Sequence, residues 1–112
     1  LAFSSDAGAT FARPARIDGG RPGGHVDVVL ADDGGAWVSW LERGSGAQMD
    51  VKLRRVRADG SLLPPRTIGT AMGLRPAGWP AMTAVADGLL LAWTVPGVPT
   101  TIRTERLSVD EK

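Results

Sequence analysis

The sequence predicts an all-β chain built from consecutive four-stranded antiparallel units, and three observations carry that expectation. Helical signals are missing: no window sustains apolar residues at i, i+3, i+4 and i+7, and Gly or Pro recurs roughly every ten residues. Short apolar runs are separated instead by turn residues, with Asp-Gly at Asp33-Gly34, Asp59-Gly60 and Asp87-Gly88, which reads as a series of hairpins. Finally, the chain resembles itself. Val26 to Trp40 (VDVVLADDGGAWVSW) and Ala81 to Trp93 (AMTAVADGLLLAW) are each an apolar strand, an Asp-Gly turn and a second apolar strand ending in tryptophan.

The flanks repeat as well. Arg21-Pro22-Gly23-Gly24-His25 introduces the first unit and Arg75-Pro76-Ala77-Gly78-Trp79 the second. Downstream, Val51–Val56 matches Ile102–Leu107, so the offset is about 50 residues with about four short strands per unit. In order, the expected strands are Leu1–Ser4, Ala12–Ile17, His25–Ala31, Ala36–Glu42, Met49–Arg57, Leu62–Ile68, Pro80–Val85, Leu89–Thr94 and Thr101–Ser108. Arg55 and Val56 interrupt the alternation set by Val51 and Leu53, which predicts a β-bulge there. Asp32-Asp33-Gly34 lacks the alternating acids of a calcium loop and is a hairpin turn.

Composition bounds the function. At 112 residues, 43% hydrophobic and 22% charged, the chain is one modest globular unit rather than a disordered segment. A net charge of +1 argues against a nucleic-acid binder that works through a strong basic field. With no cysteine and one histidine, disulfides, thiolate chemistry and a protein zinc site are not expected, and no cofactor or metal is implied. No apolar run approaches the roughly 20 residues of a membrane span, and no leader of the charged–apolar–small type is present. The opening Leu1-Ala2-Phe3 is already strand-like, as expected of a cut inside a larger protein, whereas Ser108–Lys112 reads as a natural C-terminus.

The most specific motif is the octapeptide Ser4-Ser5-Asp6-Ala7-Gly8-Ala9-Thr10-Phe11, which fits Ser-x-Asp-x-Gly-x-Thr-aromatic at every defined position. Its chemistry is local. The Asp6 carboxylate can accept N–H bonds within its own turn. Gly8 permits a left-handed backbone angle. Thr10 offers a second side-chain oxygen, and Phe11 is expected to turn inward and anchor the next strand.

This pattern resembles the Asp box, or BNR repeat, of sialidase-like β-propellers, and the fifty-residue repeat suits a propeller blade. The resemblance implies a partial propeller of about two to two and a half blades. Residues 1–18 would be the outer strands of a first blade, 19–69 a complete second blade, and 70–112 the first three strands of a third. Ala58-Asp59-Gly60-Ser61-Leu62 stands where the second blade should carry its box and reads as a shortened copy. The likeness is closest to the C-terminal part of exported bacterial exo-sialidase-like proteins, which implies a periplasmic or secreted setting. Open sheet edges would pair with the missing blades or with another copy of the chain.

Blade topology places the Asp box on the face opposite the cleft of that family. The loops on the cleft face would be Gly19–His25, Arg43–Gln48, Thr70–Trp79 and Val95–Thr100. Arg21 and Arg75 enter the innermost strands at equivalent positions and are the candidate ligands for the carboxylate of an acidic sugar or glycan. His25 and Trp79 follow at matching positions, and Glu42 is the acidic group to flag on that face, with a solvated strand end as its plainer reading. Trp37, Trp40 and Trp93 are expected to fill the core. The basic run Lys52, Arg54, Arg55 and Arg57 is expected to be a solvated face.

Retaining sialidases use a tyrosine nucleophile, and this chain contains no tyrosine. No catalytic residue is therefore assigned. The resemblance implies a non-catalytic fragment that supplies blade structure and part of a ligand cleft. The alternative is part of a propeller that only binds a protein or polysaccharide. Fold alone does not separate the two.

Overall fold

Strands form where β-branched and aromatic residues run between Asp-Gly turns. The computed structural model describes residues 1–44, 48–72, 80–95 and 97–108. Among these, β1 (Pro22–Leu30), β2 (Ala36–Arg43), β3 (Gln48–Val56) and β4 (Arg66–Met72) form one antiparallel sheet in sequential order. A second antiparallel sheet holds β5 (Ala81–Val85), β6 (Gly88–Val95) and β7 (Thr101–Ser108), again in order, and no helix occurs among the described residues. The all-β expectation holds.

The hairpin turns use one solution twice. Between β1 and β2, the Asp33 carboxylate accepts the Gly35 N–H at 3.0 Å, and Gly34 takes φ 88°. Between β3 and β4, Asp59 accepts the Ser61 N–H at 2.9 Å, and Gly60 takes φ 88°. A carboxylate that accepts the amide two residues on, followed by a glycine in the left-handed region, reverses the chain without strain.

The core explains how the sheets join. Every residue of β2 from Ala36 to Glu42 is buried. An antiparallel strand with one solvated face alternates between buried and exposed, so this run requires cover on both sides. On one face, Trp37 and Leu41 of β2 with Val51 and Leu53 of β3 pack against Met82, Leu89, Leu91, Trp93 and Leu107 of the second sheet. On the other, Val38, Trp40 and Val56 pack against Leu1, Phe3 and Ile17. The first sheet is the middle of three layers. Full burial of each large aliphatic side chain contributes roughly 1.5–3 kcal/mol, so apolar contact is the main force holding the layers together.

Four expectations are corrected. Residues 1–17 form an irregular antiparallel pair rather than two strands, joined by Ala12 N–H to Phe3 O (2.7 Å), Ala15 N–H to Leu1 O (2.8 Å) and the Leu1 ammonium to Ala15 O (2.9 Å). Pro14 has no N–H with which to extend that ladder. The strand expected at Leu62–Ile68 instead runs Arg66–Met72, because Pro64 and Pro65 cannot donate; Leu62 keeps only an isolated bridge to Val56.

The bulge is displaced too. Arg55 and Val56 sit in regular register with Trp37 and Ala36, whereas Val51 opposes Gly69 and Lys52 opposes Thr67, leaving Ile68 as the extra residue on β4. The basic run, finally, is not one solvated face. Arg54 is partly buried and donates to Ile17 O at 2.8 Å and Leu63 O at 2.7 Å, tying the first layer to the sheet. Arg55 emerges on the opposite face, where its guanidinium lies 5.4 Å from the Trp37 ring centroid and pairs with Asp33.

Candidate functional site

Strand register divides the first sheet into two ends. The turns at 31–35 and 57–61 lie at one end. The pairs Pro22–Glu42, Arg43–Met49 and Gln48–Met72 mark the other.

The octapeptide Ser4–Phe11 closes the loop of the first layer with its own hydrogen bonds. Asp6 Oδ1 accepts the Thr10 N–H at 2.8 Å, and Oδ2 accepts the Thr10 hydroxyl at 2.5 Å. Ser4 Oγ donates to Asp6 Oδ1 at 2.8 Å and accepts the Gly8 N–H at 2.8 Å. These donors hold the Asp6 carboxyl well below the usual range, at about 2, with the Thr10 hydroxyl the largest cause. Gly8 and Ala7 take φ 88° and 58°, as a tight left-handed turn requires. Among the described residues, the hydrogen bonds to the Asp6 carboxylate all come from within the motif. Phe11 does not turn inward: it is 64% exposed, because the apolar cover of this layer comes from Leu1, Phe3 and Ile17.

At the opposite end a hollow of about 280 Å³ opens on the first-layer side of the sheet, lined by Gly19, Arg21, Trp40, Glu42, Arg43, Asp50, Lys52 and Pro65. Glu42 organises it. Far from a solvated strand end, Glu42 is only 8% exposed. Its Oε1 accepts the Gly19 N–H at 2.6 Å and the Trp40 Nε1–H at 3.2 Å, and its Oε2 accepts the Arg21 N–H at 2.9 Å. A buried carboxylate is tolerable only when its oxygens are satisfied in this way. Glu42 thus clamps the loop that carries Arg21, and Arg21 O in turn accepts the Arg43 N–H at 2.8 Å. Lys52 Nζ donates to Thr67 Oγ1 at 2.5 Å and lies 3.9 Å from Asp50 Oδ2.

The structure places Arg21 and Glu42 together in this hollow. His25 stands nearby in β1, half-buried, at the register shift between Gly24 and Asp27 and with φ 57°, but it does not line the hollow. Arg75 and Trp79 lie outside the described residues. Sequence reasoning missed Arg43, Asp50 and Lys52 as neighbours of Arg21. The signal was present in the strand ends: antiparallel pairing of β2 with β3 sets Arg43 opposite Met49 and Glu42 opposite Asp50. Trp37, Trp40 and Trp93 are each 2–3% exposed and fill the core. Among the described residues no group of three or more His, Cys, Asp or Glu could hold a metal ion, and no helix is long and apolar enough to cross a membrane.

Neither models of known protein families, nor curated proteins, nor solved structures gave a match to this chain.

Proposed function

We propose that the chain is a non-catalytic part of an exported, sialidase-like β-propeller protein, supplying blade structure and one wall of a ligand cleft for an acidic glycan. The observation that carries this reading is the complete burial of β2. A two-layer sandwich leaves one face of each sheet to solvent, whereas a blade in a propeller is covered on both faces by its neighbours. Two further features support it. Each sheet runs in sequential order, and the first layer is closed by a turn in which Ser4, Asp6, Gly8 and Thr10 are hydrogen-bonded to one another.

In this reading the Asp box marks the end of the blade remote from ligand, and the Arg21–Glu42 end faces it. The absence of tyrosine leaves no sialidase-type nucleophile on this chain. The purified chain is therefore expected to release no fluorophore from a fluorogenic sialoside above the buffer rate. Turnover proportional to protein concentration would contradict the non-catalytic reading.

A further inference from the structure

We infer that the outer edge of β7 pairs with the same edge of a second copy of this chain, antiparallel and about a two-fold axis at Thr104. The pairing follows from the register and charges of β7 and does not depend on the propeller reading.

The sheet edges are not equivalent. Among the described residues β1, β4, β5 and β7 each pair with one strand only. At β1 and β5 the amides of Val28 and Met82 are taken by Asp27. β4 is interrupted by its bulge at Ile68. β7 instead pairs with β6 along all 8 of its residues without a register shift. The β5–β6 turn is closed by the Val85–Gly88 pair, so the main chain of Gly88 bonds to β5 and that of Leu89 to β7. Alternation then turns Arg103, Glu105 and Leu107 toward β6 and leaves the N–H and C=O groups of Ile102, Thr104 and Arg106 directed outward. Such an edge is a template for another strand.

The charges select the partner and the register. With each Thr104 opposite the other, Ile102 exchanges main-chain bonds with Arg106 of the second copy. Arg103 then stands opposite Glu105 at a closely spaced, non-hydrogen-bonded position, and the two-fold axis repeats the pair. Within one chain neither Arg103 nor Glu105 makes a hydrogen bond or ion pair among the described residues. Sliding one strand by two residues is the nearest shift that keeps the outward groups paired. It sets Arg103 against Arg103 in one direction and Glu105 against Glu105 in the other, and like charges directly opposite are unfavourable. On the other face Ile102, 75% exposed, comes beside the aliphatic stem of Arg106, whose guanidinium is already held by Asp87. One added strand pair buries little surface, so the dimer is weak and reversible rather than obligate.

The test is sedimentation equilibrium of the whole chain at low ionic strength over about 1 µM to 1 mM, combined with amide hydrogen exchange. A monomer–dimer equilibrium is expected, with exchange at Ile102, Thr104 and Arg106 slowing as concentration rises. Arg103→Glu and Glu105→Arg should each weaken dimerisation about tenfold, because each sets like charges opposite one another at two symmetric places. The chain carrying both substitutions restores the unlike pairs and should recover the parent affinity. Protection of the Leu91 amide, in the middle of β6, shows that each variant is folded. A chain that stays monomeric across the range, or a dimer whose added protection falls on another strand, would overturn the pairing. Single reversals without effect, or a double variant no tighter than the singles, would overturn the Thr104-centred register.

Discussion

The amide N–H of Met82 in β5 donates to Oδ2 of Asp27 in β1 at 2.8 Å, linking the two sheets across 55 residues of sequence. The other oxygen of Asp27 accepts the Val28 N–H at 2.9 Å, so one side chain satisfies two backbone donors on neighbouring layers. Asp27→Ala removes both acceptors and leaves the part-buried Met82 amide without its side-chain acceptor. A loss of about 1–3 kcal/mol is expected in urea unfolding. Asp27→Asn, which keeps a carbonyl oxygen, should recover part of it. Equal stability of Asp27→Ala and the parent chain would show that the sheets are joined by apolar contact alone.

Gly69 is required by the ring that packs on it. A Cβ at this position would stand 2.5 Å from Cζ2 of Trp93, which is 2% exposed in the core between the sheets. Gly69→Ala should therefore push the two sheets apart locally and cost about 1–3 kcal/mol through overpacking. The check is thermal unfolding with tryptophan emission. A red shift in the folded state would report wetting of the indole, and an unchanged midpoint and spectrum would contradict this packing.

The Asp6 carboxyl should titrate below an ordinary aspartate. It is held at about 2 by Thr10 and Ser4, below the ordinary value of 3.8. Because the folded value is lowered, whatever the charged form contributes is complete above the unfolded value, declines as pH falls below 3.8 and is gone once pH has fallen through about 2. A carboxyl-carbon NMR titration should give a midpoint near 2 for Asp6, and Thr10→Val should raise it. A midpoint at the ordinary aspartate value would contradict the bonding described.

Glu42→Gln tests the clamp. The amide offers one carbonyl oxygen in place of two charged ones and turns an N–H₂ toward the backbone N–H of Gly19 or Arg21. The expected loss is about 1.5–3 kcal/mol, the range for hydrogen bonds to a charged group. Amide hydrogen exchange should accelerate at Gly19 and Arg21 while Thr10 keeps its protection. Uniform acceleration across the chain would mean that Glu42 supports the whole fold rather than this loop.

Much of the fold was legible because it is written in local chemistry. The β1–β2 and β3–β4 turns carry Asp-Gly pairs whose roles are set within a few residues. The burial of Trp37, Trp40 and Trp93 follows from their place in apolar strands. What failed depended on distance in sequence. Nothing near Phe11 says that Leu1, Phe3 and Ile17 already cover Val38 and Trp40, leaving the phenyl ring outside. The bulge went to Ile68, next to Gly69, on which Trp93 of the other sheet packs. At the candidate site, Arg21 and Glu42 were named for separate reasons. Their connection through two backbone amides and the pairing of Arg21 with Arg43 exist only once β1, β2 and the preceding loop are assembled.

The central claim is that the first sheet is the middle layer of a stack, and substitutions on the two faces of β2 test it most directly. Leu41, 1% exposed, faces the second sheet, and Val38, 2% exposed, faces the first layer. Denaturant unfolding of Leu41→Ala, Val38→Ala and the double variant should show losses of about 2–5 kcal/mol for leucine and somewhat less for valine, adding in the double variant. A Val38→Ala cost within about 0.5 kcal/mol of zero, the range for surface positions, would mean that the sheet is covered on one face only and would contradict the stack.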